Sequence, residues 1–254
     1  MKKPRFYPPN GIELYRGPSM LDGAPIVVIA TGFAYASDNV KTGNLIQTWI
    51  LRADVSPLLA IRSGEDVSIC GDCGDRGREV DGVTVDRACY VNVSQAPSSV
   101  WSTWRQGRYP TAWNASTFAG RAVRLGSYGD PAAVPFHVWA QVLQHAAKHT
   151  GYTHQWARFP ELAAWCMASC DSEADRVRAK FLGFRTFRVM VAGAPLMARE
   201  VRCPASAEAG ARTTCERCIA CGGNAARAKV DMAIEVHGPA GKVAAWHRVH
   251  GVAA

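Results

Sequence analysis

The spacing of the cysteines constrains this chain more than any other feature. Nine cysteines occur among the 254 residues, and seven of them fall into two groups with short internal spacings. The first group combines a Cys-x2-Cys pair with a later cysteine: Cys70, Cys73 and Cys89. The second combines one cysteine with a Cys-x2-Cys-x2-Cys run: Cys203, Cys215, Cys218 and Cys221. Such spacings let several thiolates bind one metal centre, so both groups predict metal binding.

The two groups differ in how many ligands they supply. Three thiolates leave a four-coordinate site one ligand short, so another residue completes the first site or one position stays open. An open position is typical of a catalytic zinc or of a substrate-binding iron in a cluster. Four thiolates would close the second site, as in a structural or electron-transferring centre. The triple-cysteine run favours an iron–sulfur cluster, with zinc as the alternative, and the two groups could also share one site.

The two remaining cysteines lie in the apolar sequence WCMASC. Their spacing places Cys166 and Cys170 on the same face of a predicted strand. We expect Cys166 to pack in the core. Cys170 is expected either to do the same or to serve as an extra ligand at the strand end.

Short apolar runs alternate with amphipathic stretches along most of the chain. Strands are predicted at residues 26–30, 45–51, 122–125, 152–156, 164–169, 186–191, 200–203 and 230–237. Helices are predicted at residues 56–61, 98–105, 135–149 and 171–182. This alternation predicts one α/β domain over residues 1–254 with a parallel sheet. We expect a (β/α) barrel, complete, incomplete or irregular, with an open doubly wound sheet as the second choice. A cysteine-rich loop (65–95) and a cysteine-rich insertion (203–223) would follow the carboxyl ends of strands.

Polar residues cluster at those predicted strand ends, where parallel α/β proteins bind their ligands. The candidates for acid–base chemistry are Asp130, His154 and Asp171. A hydrogen-bonded structural role is the alternative for His154.

The charge of the chain favours anionic partners. Lys and Arg outnumber Asp and Glu by 29 to 21, a net charge of +8. An interval without acidic residues, between Asp86 and Asp130, mixes aromatic residues with four arginines that could bind phosphates: Arg105, Arg108, Arg121 and Arg124. This interval predicts a nucleotide or nucleic-acid surface, unless its aromatic residues are core and its arginines merely solvated. No apolar run approaches the length of a membrane helix, and no export signal is evident, so we expect a cytoplasmic protein without a membrane partner.

Several segments resemble a largely uncharacterised family of cysteine-rich proteins carried by phages and plasmids. These segments include NVKTGNLIQTWILR, CGDC, CYVN, RLGSYGDPAAVP, GYTHQW, MASCDS, GFRTFRV and the run from CPASAEAG to TTCERC. The resemblance implies an accessory protein of a mobile genetic element and supplies no reaction. In architecture, the chain also resembles radical S-adenosylmethionine enzymes with an auxiliary iron–sulfur cluster. The CxxxCxxC motif usual in those enzymes is absent.

Two functional hypotheses follow. The first is an iron–sulfur protein, a redox or radical-type enzyme acting on a nucleotide-like or nucleic-acid substrate. The alternative is a zinc-stabilised nucleic-acid-binding protein of phage or plasmid replication or maintenance, without redox chemistry. The sequence leaves the oligomeric state open.

Overall fold

The apolar run near the amino terminus forms strand β2 (Pro25–Thr31), whose residues 26–30 are fully buried, in the computed structural model, which describes residues 9–36 and 39–251. Its Ile and Val residues are β-branched and pack well on a pleated surface. Two antiparallel neighbours flank it, β1 (Gly11–Pro18) and β3 (Ile46–Arg52).

Eleven strands and seven α-helices are present in the described residues. The remaining strands are β4 (Arg78–Val80), β5 (Val83–Val85), β6 (Ala122–Tyr128), β7 (Lys148–Thr153), β8 (Met167–Cys170), β9 (Thr186–Met190), β10 (Glu200–Arg202) and β11 (Asp231–Glu235). The helices are α1 (Pro57–Arg62), α2 (Val67–Cys70), α3 (Ala96–Arg105), α4 (Phe136–Leu143), α5 (Glu173–Phe181), α6 (Cys215–Cys218) and α7 (Ala240–Val249).

Nine strands form one mostly parallel sheet in the order β1-β2-β3-β6-β7-β8-β9-β11-β10. Every pairing from β3 to β10 is parallel. One face of the sheet packs on helices: Val123 and Leu125 of β6 share a core with Val138, Trp139 and Val142 of α4. Most neighbouring strands are also successive in the chain, which is the connectivity that α/β crossovers produce.

The described strands do not close into a barrel, so the expected closed barrel is not confirmed. Strands β1 and β10 are the two edges of an open sheet. Closure requires every strand to share a consistent tilt and stagger. Here β2 runs antiparallel to the other strands and pairs with the edge strand β1. At the other edge, a cysteine-rich segment with the short helix α6 stands in place of a full crossover helix between β10 and β11.

Several element predictions need correction. The helix expected at 135–149 ends at Leu143, and the strand expected from residue 152 already begins at Lys148. Pairing of β7 with β6 stabilises Lys148–Thr153 as a strand although its residues have no strong strand pattern. Strand β1, the β4–β5 hairpin and helix α7 were not predicted. Within the described residues, none of the helices combines the length and apolar character needed to cross a membrane.

Candidate metal centres

A cavity of about 220 Å³ lies on the face of the sheet opposite α4. Alternate residues of four strands line it, because side chains two apart along a strand point to the same side. These residues are Arg124 and Tyr128 of β6, Thr150 and Tyr152 of β7, Phe187 and Val189 of β9, and Met232 and Ile234 of β11. Beyond the carboxyl ends of the strands, His154, Asp171 and His237 complete the wall. The predicted meeting of polar strand ends therefore agrees with the position of the cavity.

All seven grouped cysteines line this cavity. Within the first group, the Cys70 thiol interacts electrostatically with those of Cys73 and Cys89. Within the second, Cys221 interacts with the other three thiols of its group. No disulfide joins them, since all nine cysteines are free. The fold thus brings two clusters of thiols from distant segments of the chain to the wall of one cavity. We call them centre 1 (Cys70, Cys73, Cys89) and centre 2 (Cys203, Cys215, Cys218, Cys221).

The loop of centre 1 depends on a glycine between its paired cysteines. Cys70 ends α2, and Gly71 follows with a φ of 62°, a conformation that favours glycine. A Cβ atom on Gly71 would lie 2.4 Å from the amide of Gln155. The Gln155 amide donates to the Cys70 carbonyl at 3.2 Å and to the Asp72 carboxylate at 2.5 Å. Gln155 therefore holds the Cys-x2-Cys turn against the end of β7.

A buried carboxylate joins the two segments of centre 1. Asp66 is 1% exposed and lies 3.0 Å from the guanidinium of Arg87 and 3.6 Å from that of Arg76. Asp66 precedes α2, whereas Arg87 lies two residues before Cys89. The ion pair thus fixes the third cysteine beside the first two, and a backbone hydrogen bond of 2.7 Å from Cys89 to Asp75 adds to this.

Arg185 plays the corresponding part at centre 2. Its guanidinium is buried and donates to the carbonyls of Ala220 (2.8 Å), Gly223 (3.0 Å) and Val230 (3.0 Å). Ala220 and Gly223 flank Cys221 in the cysteine-rich insertion, and Val230 directly precedes β11. Arg185 therefore anchors that insertion to the amino-terminal end of β9.

His154 lies between centre 1 and a carboxylate. Its Nε2 is 3.9 Å from Cys73 Sγ and 3.7 Å from Asp171 Oδ1. Burial alone would lower the pKa of His154, but the neighbouring Cys73 and Asp171 raise it well above its ordinary value. A charged His154 can donate a proton into the cavity, which suits the predicted acid–base role.

Asp130 is hydrogen-bonded to the backbone of His154 and to two other residues. Its carboxylate accepts hydrogen bonds from Thr153 Oγ1 (2.7 Å) and from the backbone N–H groups of His154 (2.8 Å) and Ala132 (2.9 Å). Burial raises the pKa of Asp130, although these hydrogen bonds oppose the shift. Because both oxygens accept hydrogen bonds, the geometry favours a positioning role for Asp130, and the acid–base role expected from the sequence stays a prediction.

Two buried donors near centre 1 have no hydrogen-bond partner in the described residues. They are the hydroxyl of Tyr128 and one Nη of Arg87. Tyr128 is 2% exposed and interacts electrostatically with Cys70 and Cys89. Unpaired buried donors are costly. Inorganic sulfide or thiolate sulfur bound at centre 1 would give both donors an acceptor.

The distances between sulfurs bear on which metal fits. In the described part of the chain, the one group of three potential ligands whose atoms lie within 4.8 Å of one another is Cys73, Asp75 and His154. Neither centre contains three thiols that close together. Four thiolates on one zinc at 2.3 Å would be separated by about 3.8 Å. A cubane cluster separates its ligands further, because each thiolate binds a different iron.

Burial favours the protonated form of four of these thiols, those of Cys70, Cys89, Cys215 and Cys221. Burial raises the pKa of Cys221 to about 12 and that of Cys70 well above its ordinary value. Metal ligation requires the thiolate, so binding would release protons and compensate the buried negative charge. This donor chemistry fits a thiophilic metal at both centres.

The other predicted residues are dispersed. Of the four arginines, Arg124 alone lines the cavity. Arg105 packs over the rings of Trp101 and Trp104, and Arg121 donates to the Gly32 carbonyl. Arg108 is exposed. Cys166 is buried in the main core, whereas Cys170 is buried at the cavity wall, with its thiol 3.6 Å from the Ala168 carbonyl.

Sequence reasoning missed the residues that support the centres. Asp66, Arg185 and Gln155 lie outside any recognisable motif, and their roles depend on contacts between distant segments. Asp75, two residues after Cys73, could have indicated that the ligands near centre 1 include a carboxylate as well as thiols.

No protein-family model matches the chain, and neither a curated protein nor a solved structure matches it.

Proposed function

We propose that this protein binds two iron–sulfur clusters at the walls of one cavity and is a redox or radical-type enzyme acting on a small anionic substrate. The observation that carries the proposal is the convergence of seven free thiols, as a group of three and a group of four, on one cavity. Two observations support iron–sulfur clusters over single zinc ions: among the described residues no three thiols lie within 4.8 Å of one another, and two buried donors at centre 1 are unpaired.

The ligand counts support a division of roles. Centre 1 offers three thiolates, so a cluster there would keep one iron open toward the cavity. Centre 2 offers four thiolates and would hold a closed cluster for electron transfer or stability. His154 and Asp171 lie on the side of centre 1 and would exchange protons with the substrate.

A nucleotide-like substrate stays within this proposal, but a long nucleic-acid surface has little support. Arg105, Arg108 and Arg121 lie outside the cavity wall, and the aromatic partners of Arg105 pack against the core. The link to mobile elements rests on the sequence resemblance alone.

A single zinc ion is the second candidate, because Cys73, Asp75 and His154 have the spacing of a mononuclear site. In that case the protein would be the zinc-stabilised alternative, and centre 2 would have to contract around a second ion.

Metal analysis of protein purified without oxygen tests the proposal. We expect about eight irons with matching acid-labile sulfide per chain, together with broad absorbance typical of iron–sulfur clusters. Cys73→Ser and Cys218→Ser should each lose about half of the iron. The matched control is Cys166→Ala, a buried cysteine outside both centres, which should keep all of it. Colourless protein that contains zinc would reject the proposal in favour of the alternative.

A further inference from the structure

We propose that Arg124 anchors the anionic group of a small, otherwise apolar substrate between the two centres. This inference rests on the proposed function for the reaction, and it adds the class of molecule that the cavity accepts.

Arg124 is a cation without an anionic partner among the residues that the structure describes. Strand β6 directs its side chain to the cavity, where the guanidinium lies 5.7 Å from the ring centroid of Tyr152. One long hydrogen bond, 3.4 Å, links Nη2 to the Tyr90 hydroxyl. Its Nε is buried with no hydrogen-bond partner, and no carboxylate of the described residues lies within 4.0 Å of the guanidinium. A guanidinium has five N–H donors in a fixed plane, so most of its hydrogen-bonding capacity is not used by the described residues.

The position of Arg124 places an anion between the centres. Tyr90, its hydrogen-bond partner, follows Cys89 of centre 1 directly in the chain. On the other side, Arg124 interacts electrostatically with Cys215 of centre 2. Lys41 adds a second positive charge to this end of the cavity, where its backbone carbonyl accepts a hydrogen bond from Cys215 at 2.8 Å.

The acidic residues of the cavity do not neutralise this end. Asp75 pairs with His250 at 3.0 Å, and Asp171 lies 3.7 Å from His154. The cavity thus has a cationic end at Arg124 and acidic groups that are already occupied near centre 1.

The rest of the wall sets the character of the substrate. Phe187 and Val189 of β9 and Met232 and Ile234 of β11 give the same cavity an apolar wall. A guanidinium binds carboxylate and phosphate oxygens through paired hydrogen bonds, whereas apolar walls favour an apolar body. The ligand chemistry is therefore an oxyanion on a compact apolar group, either a carboxylate or a phosphate monoester.

Arg124 has one competing role, that of counter-ion to the thiolates of centre 2. As a counter-ion it would tune the spectroscopic properties of the cluster and contribute nothing to ligand affinity. As an anchor it would control ligand affinity and leave those properties largely unchanged.

Calorimetric titration of the anaerobically purified full chain separates these roles. The probes are benzoate, phenyl phosphate and the neutral isostere benzamide. We expect at least one anion to bind and benzamide not to bind; the preferred anion tells carboxylate from phosphate. Arg124→Gln should weaken anion binding roughly tenfold to a hundredfold, as expected for losing hydrogen bonds to a charged group. Arg121→Gln, three residues earlier in the chain and outside the cavity, should bind the anions as the unchanged protein does.

The proposal is overturned if neither anion binds, if benzamide binds as well, or if Arg124→Gln binds anions normally. Altered electron paramagnetic resonance of centre 2 with normal anion affinity would assign the counter-ion role instead. If Arg124→Gln fails to fold, Arg124→Lys replaces it in the titration, because lysine keeps the positive charge but cannot form the paired hydrogen bonds of a guanidinium. Severalfold weaker binding then supports the anchor, and unchanged binding rejects it. Iron content measured on the same samples tests the proposed function separately, since anion binding without iron would reject only that function.

Discussion

Replacing Arg185 with methionine tests how the second cysteine segment is held. Arg185→Met keeps the length and apolar stem of the side chain but removes donors to the carbonyls of Ala220, Gly223 and Val230. Each buried acceptor left unpaired costs about 1–3 kcal/mol. Two of these residues are only half-buried, so water restores part of the loss. We expect an apparent loss of roughly 3–6 kcal/mol in unfolding free energy, a large share of the 5–15 kcal/mol typical of a domain.

Urea unfolding followed by circular dichroism, on protein purified without oxygen, measures this loss. The matched control is Arg227→Met in the same segment, where the arginine is exposed, and it should stay within about 0.5 kcal/mol. Iron content should fall by about half in Arg185→Met, because Cys221 lies between two of the released carbonyls. An unchanged unfolding midpoint with full iron would refute the assigned role of Arg185.

Three further predictions concern other parts of the molecule. Gly71→Ala places a Cβ 2.4 Å from Gln155 in a left-handed backbone, so iron at centre 1 should be lost while centre 2 keeps its iron. The Glu200 carboxylate is fully buried; burial raises its pKa, but hydrogen bonding to Arg188 outweighs this and lowers it below the ordinary value. Because the pKa of Glu200 is lower in the folded than in the unfolded protein, the ionised carboxylate stabilises the fold at pH values above its unfolded pKa. The free energy of unfolding should therefore fall as the pH drops from about 5 through the folded pKa, and Glu200→Gln should make this dependence on pH weaker. Tyr128→Phe removes an unpaired buried hydroxyl, so it should change the reduction potential of centre 1 and change the free energy of unfolding by no more than about 1 kcal/mol.

Each of these has a control or a contrary result. Gly82 shares the positive φ of Gly71 but has open space around it, so Gly82→Ala should keep all the iron. For the ion pair of Arg188 and Glu200, the contrary result is a free energy of unfolding that depends on pH in the same way in Glu200→Gln and in the unchanged protein. For Tyr128, an unaltered potential would show that its hydroxyl does not reach the cluster.

The cysteine groups could be predicted because their signal is local. Metal-binding spacings are written in consecutive residues, and each group stays together at the cavity wall. The parallel sheet could also be predicted from the sequence, since apolar strand runs such as residues 26–30 alternate with amphipathic stretches. Whether the sheet closes into a barrel could not be predicted in this way, because closure depends on how the strands are staggered over the whole sheet. The antiparallel strand β1 and the open edge at β10 leave no trace in local periodicity.

The supporting residues show the limit of sequence reasoning. Asp66 becomes meaningful only when the fold brings Arg87 beside it, and Arg185 only when a segment more than thirty residues later packs against it. Asp130 is a different case. Its place at a strand end predicts catalysis, whereas three hydrogen bonds to its carboxylate favour a role in positioning His154.

The most direct test of the central claim is anomalous X-ray diffraction from anaerobically grown crystals, with data on both sides of the iron and zinc absorption edges. The account predicts two iron peaks in one cavity, one beside Cys70, Cys73 and Cys89 and one beside Cys203, Cys215, Cys218 and Cys221. A cavity without an iron peak, or a single zinc peak at Cys73, Asp75 and His154, would contradict it.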